Sequence, residues 1–164
     1  MPKVISTLFV SADGVAEVDP EWHFPYFDDA MGRAVNEDYE TSDVLVIGRV
    51  TYDSFAGAWP DRETAGGVDE PFAKHLGDAR KVVVSRQRLD FSWRNSELLD
   101  GDLVEAVTAL KEDARIRGIL IPGSISVVQQ LSPRSWSTSC GCSCTRWPRA
   151  PGDTSSTRAT PPTT

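Results

Sequence analysis

Three short clusters in this chain carry groups suited to gripping an anion: Gly48-Arg49-Val50-Thr51, Ser85-Arg86 and Gly123-Ser124-Ile125-Ser126. Each brings a hydroxyl, and two bring an arginine. Two bring a glycine, past which a ligand can approach the backbone closely. The first cluster follows four aliphatic residues, Val44 to Ile47, and precedes a helical pattern that sets Tyr52, Phe55 and Ala56 on one face. A strand that runs straight into a helix leaves the first-turn N–H groups pointing outward. The helix dipole adds partial positive charge, and Arg49 adds a full one. A phosphate is the natural guest; taken by itself, the motif also reads as an ordinary strand-to-helix turn with a surface arginine. The other two clusters close buried runs of their own, Lys81–Val84 and Gly118–Ile121. In an open α/β sheet the C-terminal ends of the strands are where ligands bind. Three such ends together make a receptor for a ligand with several phosphates, such as a phosphorylated dinucleotide. The sequence has neither a G-x-G-x-x-G nor a P-loop motif.

The elements needed to position these clusters follow from hydrophobic periodicity. Strands are expected at Lys3–Val10, Val44–Ile47, Lys81–Arg86 and Gly118–Ile121, with short extended pieces at Val15–Val18 and within Trp93–Leu99. A helix starting at Pro25 would carry Phe27, Met31, Ala34, Val35 and Tyr39 inward. Further helices are expected from about Thr51 to Trp59, around Pro71–Leu76, after the capping residue Asp102, and from Ile125. Pro60 to Asp69 reads as a polar loop. Strands alternating with helices imply a mostly parallel sheet covered on both faces.

The 164 residues suffice for one domain with a real core. A net charge of −7 argues against a nucleic-acid partner. No apolar run is long enough to span a bilayer, and Met1-Pro2-Lys3 leads into a strand rather than a signal peptide, so a cytoplasmic location and no membrane partner are expected. The composition breaks after Leu131. Residues 132–164 contain no Val, Ile, Leu, Met, Phe or Tyr, and their four arginines and one aspartate leave −10 on the preceding residues. Such a segment cannot bury enough apolar surface to offset its ordering entropy. Residues 1–131 therefore form the expected domain and 132–164 a disordered tail. Cys140, Cys142 and Cys144 alternate there without C-x₂-C spacing or a nearby histidine, so no metal site is expected.

Five motifs occur in order: Ser-x-Asp-Gly-Val from Ser11, Trp-x-Phe-Pro from Trp22, Gly-Arg-x-Thr-Tyr-x-x-Phe from Gly48, Val-Val-Ser-Arg from Val83 and Ile-x-Gly-Ser from Ile121. Over residues 3 to 131 the set resembles the dihydrofolate reductase superfamily, most closely the reductase domain of bacterial bifunctional riboflavin-biosynthesis deaminase-reductases. The resemblance implies a three-layer α/β sandwich and an NADPH-dependent reductase acting on a small-molecule substrate, either a ribosylamino-pyrimidine phosphate or a pterin-like compound. It places Gly48, Arg49 and Thr51 on cofactor phosphates, Ser85 and Arg86 by the adenosine 2′-phosphate, and Gly123, Ser124 and Ile125 at the pyrophosphate. Asp13 and Gly14 would lie beside the nicotinamide, with Trp22, Phe24 and Asp28 facing the substrate. In dihydrofolate reductases an acid stands two places after the proline of the Trp motif. Phe27 stands there in this chain, with Asp28 and Asp29 following. That departure disfavours folate and leaves Asp28 as the candidate proton donor, against the simpler reading of a solvated carboxylate at a helix start. Such a protein could also bind nucleotide without catalysing anything.

The superfamily continues after the last helix with two long antiparallel strands that complete the sheet and often a homodimer interface. Those strands are missing from the residues that follow Leu131. Back-translated with G or C at third positions and read from the last base of the Trp136 codon, the segment becomes Val-Asp-Glu-Leu-Arg-Leu-Leu-Val-His-Pro-Val-Ala. The same shift turns residues 153–158 into His-Val-Phe-Asp-Glu-Gly. Both readings restore the apolar strand character that the resemblance implies. We therefore expect a one-base slip in the gene near Leu131 to Ser135, which leaves as a further alternative that the chain is the inactive product of a frameshifted gene.

Overall fold

A computed structural model describes residues 2–11, 14–16, 25 and 27–131. The proposed tail, residues 132–164, lies outside the described residues.

Among the described residues five parallel strands form one sheet: β1 (Lys3–Thr7), β2 (Val44–Gly48), β3 (Arg80–Val84), β4 (Ser96–Leu98) and β5 (Gly118–Pro122), in the spatial order β1-β5-β2-β3-β4. Successive side chains of a strand face opposite ways, and the sequence supplies apolar residues for both faces. Val44 and Val46 join Val4, Val82, Ile119 and Ile121 on one face. Leu45 and Ile47 join Val83 and Leu120 on the other. The first face is covered by α5 (Leu103–Glu112) and α6 (Ile125–Leu131), the second by α1 (Asp29–Glu40), α2 (Arg49–Ala56) and α4 (Glu70–Asp78). This is the expected three-layer α/β sandwich. Among the described residues no helix is long and apolar enough to cross a membrane.

Several boundaries differ from expectation for identifiable reasons. β1 ends at Thr7 rather than Val10. Its last carbonyl accepts from Gly123 N at 3.1 Å, and there β5 turns away into α6. The next turn closes on itself instead, with Gly14 N donating to Ser11 O and Val15 N to Ser11 Oγ. β3 likewise stops at Val84, before Ser85 and Arg86. Helix α1 starts at Asp29 because Asp28 caps it, its Oδ1 accepting from Met31 N at 2.8 Å. Phe27 therefore precedes the helix and is 40 % exposed. Ala34 is also exposed, so the buried stripe is Met31, Val35 and Tyr39, spaced by four.

The expected loop from Pro60 opens with a helix, α3 (Trp59–Ala65). Proline in a first helical turn forfeits only an N–H that had no partner within the helix. Asp102 caps α5 as expected, accepting from Val104 N and Glu105 N. Lys81 has no solvent exposure and donates from Nζ to the carbonyls of Leu76, Gly77 and Ala79 at the end of α4. Its ammonium also lies 4.2 Å from the Trp93 ring centroid. A charge inside a strand is tolerated here because it satisfies carbonyls that a helix end leaves bare.

Candidate cofactor and substrate cleft

β2 and β3 pair in register to their last residues, Gly48 against Val84, and β1 and β5 pair to Thr7 against Pro122. Four strands thus end level. The chain runs from β1 past the later position of β5 to β2, then outward to β4, and finally returns to insert β5 between β1 and β2. Helices leave such a switch point in opposite directions, which opens a crevice above the strand ends. The crevice is a continuous cleft of about 2270 Å³. That exceeds the several hundred to roughly 1,000 Å³ of a single small-molecule site and leaves room for two ligands side by side.

Gly48, Arg49, Thr51, Ser85, Arg86, Gly123, Ser124 and Ile125 all line this one cleft. Ser124 is 4 % exposed and joins two of the turns: its Oγ accepts from Gly48 N at 2.8 Å and donates to Thr51 Oγ1 at 3.0 Å. Thr51 consequently keeps its own hydroxyl proton to offer a ligand. Gly123 reaches the required turn with φ of +61°, in the left-handed region that suits glycine. Gly48 precedes the first residue of α2 and offers no side-chain cap, so among the described residues the first-turn N–H groups of α2 remain available.

A third turn is tied in by Gln87. Ser85 Oγ accepts from Gln87 N at 3.1 Å and donates to Gln87 O at 3.0 Å, which folds the turn tightly. The Gln87 side chain then accepts from Arg49 Nη1 at 2.6 Å, while Arg49 Nε reaches Asp53 Oδ2 at 3.3 Å. Arg49 is thereby held toward the turn that carries Arg86. Arg86 itself is exposed and has no hydrogen-bond or ion-pair partner among the described residues.

Residues 2–134 match the RibD C-terminal domain family. The chain belongs to that family. A crystal structure from Shewanella sp. PV-4, named provisionally as a riboflavin biosynthesis protein, superposes with a TM-score of 0.52 at 20 % identity; the match covers 80 % of this chain and 70 % of that one. At that identity the likeness concerns the fold. No curated protein matches the chain.

The remaining expected residues of this RibD C-terminal domain have different standings. Gly14 is exposed with φ of +87° in the turn after β1. Asp13, Trp22 and Phe24 lie outside the described residues. Asp28 is exposed and its carboxylate is engaged as the α1 cap; of the two neighbouring acids, Asp29 is the one that lines the cleft.

Sequence reasoning missed Gln87, although it directly follows Ser85-Arg86. It also missed the aromatic half of the cleft. Tyr39, Phe72, Trp59 and Phe55 form a chain of edge-to-face rings with successive centroids 5.0, 5.1 and 6.4 Å apart. Burial, with Asp38 as a second cause, pushes the Tyr39 phenol well above its ordinary pKa, so it remains a neutral hydroxyl. The signal was the spacing of Phe55 and Trp59, one helical turn apart across the α2–α3 junction.

Proposed function

We propose that this chain is an NADPH-dependent reductase that passes a hydride to a small heterocyclic substrate. Membership of the RibD C-terminal domain family supports a reductase-like role in riboflavin biosynthesis. The single observation that carries the reading is the meeting of three turns at one cleft, with Arg49, Arg86, Thr51 and the uncapped start of α2 all facing it. These groups fit a dinucleotide with an extra phosphate. Two guanidiniums match phosphate oxygens, and the bare N–H groups of α2 suit a pyrophosphate.

NADPH, when bound, would supply the hydride. The residues of the chain do the rest. Arg49, kept in place by Gln87, and Thr51, kept in place by Ser124, would hold phosphates. Arg86, free to reorient, would meet the 2′-phosphate. Gly123 lets the β5–α6 turn lie close to the cofactor. Holding donor and acceptor at fixed separation in a shielded cleft supplies most of what a hydride transfer needs from a protein.

The engagement of Asp28 as a helix cap favours a second reading, a nucleotide-binding protein with no catalytic acid. Fluorescence titration with NADPH, followed by turnover assays on ribosylamino-pyrimidine phosphate and pterin-like compounds, separates the two readings. Both assays belong on this chain and on a version with the shifted frame restored. Saturable NADPH binding with turnover supports the reductase, binding without turnover the second reading. Absence of binding in both versions refutes each.

A further inference from the structure

The dinucleotide groups occupy only one side of the cleft. The other side lies between α1 and the α2–α3 segment, and its chemistry is different. Phe55, Trp59 and Phe72 present ring surfaces there, and all three are half-buried while lining the cleft. Tyr39, 5 % exposed, lines the same wall, and its hydroxyl has no hydrogen-bond partner among the described residues. Among the described residues the buried side-chain polar atom left without a partner is Trp93 Nε1, so the Tyr39 hydroxyl touches solvent at the cleft and can donate to a ligand there. At the edge of the wall Arg62 stacks on Trp59, its guanidinium carbon 4.9 Å from the ring centroid. Its one ion pair among the described residues, to Asp69, is a single contact of 3.4 Å between half-exposed side chains, which contributes little and yields easily to a competing anion. Arg33 lines the cleft from the facing helix and has no ion-pair partner among the described residues.

We propose that this half of the cleft binds a flat aromatic acid: a fused or conjugated ring system lying against Phe55, Trp59 and Phe72, a ring carbonyl accepting from the Tyr39 hydroxyl, and one anionic group at Arg62 with Arg33 opposite. The proposal rests on the reductase reading for its division of the cleft into cofactor and substrate halves. It selects among substrate classes. A ribosyl phosphate exposes several hydroxyls, each of which would lose its water against this wall without gaining a partner, at a cost of a few kcal/mol in all. A planar ring brings mostly apolar area there, with its carbonyl and anionic group meeting Tyr39 and Arg62, and gains aromatic contacts. The raised pKa of Tyr39 fits the role, because the phenol then stays a donor at any working pH.

The test uses the full chain with NADPH present and absent, and three probes: anthraquinone-2-carboxylate, its neutral carboxamide, and ribose 5-phosphate. Calorimetric titration should show saturable binding of the carboxylate and none of ribose 5-phosphate, with the carboxamide about tenfold weaker, as expected for one lost charge-assisted contact. Arg62→Ala should weaken the carboxylate by a similar factor without affecting the carboxamide. Tyr39→Phe, which keeps the ring, should weaken both. NADPH affinity should be unchanged in both variants. Preferential binding of ribose 5-phosphate, or carboxylate binding indifferent to Arg62→Ala and Tyr39→Phe, overturns the proposal. If the carboxylate binds with these sensitivities while NADPH does not, the aromatic site stands and the reductase reading fails. If NADPH binds and the carboxylate does not, the reverse holds.

Discussion

Ser124→Ala is the most direct probe of how the cleft is built. The serine contributes one oxygen to two jobs: it accepts from Gly48 N and orients the Thr51 hydroxyl, and both contacts lie at a nearly fully buried position. Removing it strands the Gly48 N–H, and a stranded buried donor costs about 1–3 kcal/mol. Gly48 is half-buried, so water can partly replace the lost oxygen; this puts the expectation at about 1.5 kcal/mol on that scale. For a domain of this size the corresponding fall in Tm is roughly 4 °C. The variant should also bind NADPH several-fold more weakly, because Thr51 loses the contact that fixes its proton. Thermal unfolding followed by fluorescence gives the first quantity and titration the second. A double-mutant cycle with Thr51→Val should show coupling on the order of 0.5 kcal/mol or more, as expected for groups in contact. If Ser124→Ala leaves Tm within a degree of the parent and cofactor affinity intact, the hydroxyl is not the strut between the two turns, and the account of the cleft is wrong at its centre.

Other expectations follow from single groups. Arg86→Ala should weaken NADPH by about tenfold, as for one charge-assisted contact, leave NADH little changed, and not alter Tm, since the side chain has no described partner to lose. Asp28→Ala should lower stability by about 1 kcal/mol through loss of the α1 cap whereas Asp28→Asn should not; a fall in turnover in the asparagine variant, at unchanged stability, would establish Asp28 as the proton donor. Burial, aided by Arg94, holds Lys81 at about 8, below its ordinary 10.5. The unfolded chain therefore binds more protons between those values, and stability should rise as pH climbs from about 8 toward 10.5. Lys81→Met should abolish that rise in pH-dependent urea unfolding, and an unchanged profile would refute the assignment.

The parallel sheet was legible because its signal is strong and local. Val44–Ile47, Val82–Val84 and Ile119–Ile121 are short unbroken aliphatic runs rich in β-branched residues, the pattern of strands covered on both faces. The cofactor edge was legible for a related reason: in a parallel sheet all strand ends of one polarity fall on one side, so residues far apart in sequence are placed together by topology alone. What was hidden depends on partners that local pattern does not name. β1 stops at Thr7 because Gly123 takes its carbonyl, an event 116 residues away. Pro60 reads as a breaker until its place in the first turn of α3 is known. Lys81 falls within a run read as buried, but the three carbonyls at the end of α4 that hold its ammonium there are not named by local pattern.

The same contrast separates the two halves of the cleft. Phosphate recognition uses backbone N–H groups and arginines at turns, and turns announce themselves through glycine. An aromatic wall uses side chains from helices whose rings also serve the core. Phe55, Trp59 and Phe72 each pack against the cluster around Leu45 and Ile47 while showing a surface to the cleft. In sequence they are indistinguishable from ordinary core residues, and only their joint exposure on one wall, beside the unpartnered Tyr39 hydroxyl, gives them a second role. A fold of this kind can thus keep its cofactor edge readable while substrate preference changes through residues whose packing duty conceals them. Substitutions such as Phe72→Leu or Trp59→Phe, which preserve burial but reshape the wall, should accordingly shift ligand preference more than stability.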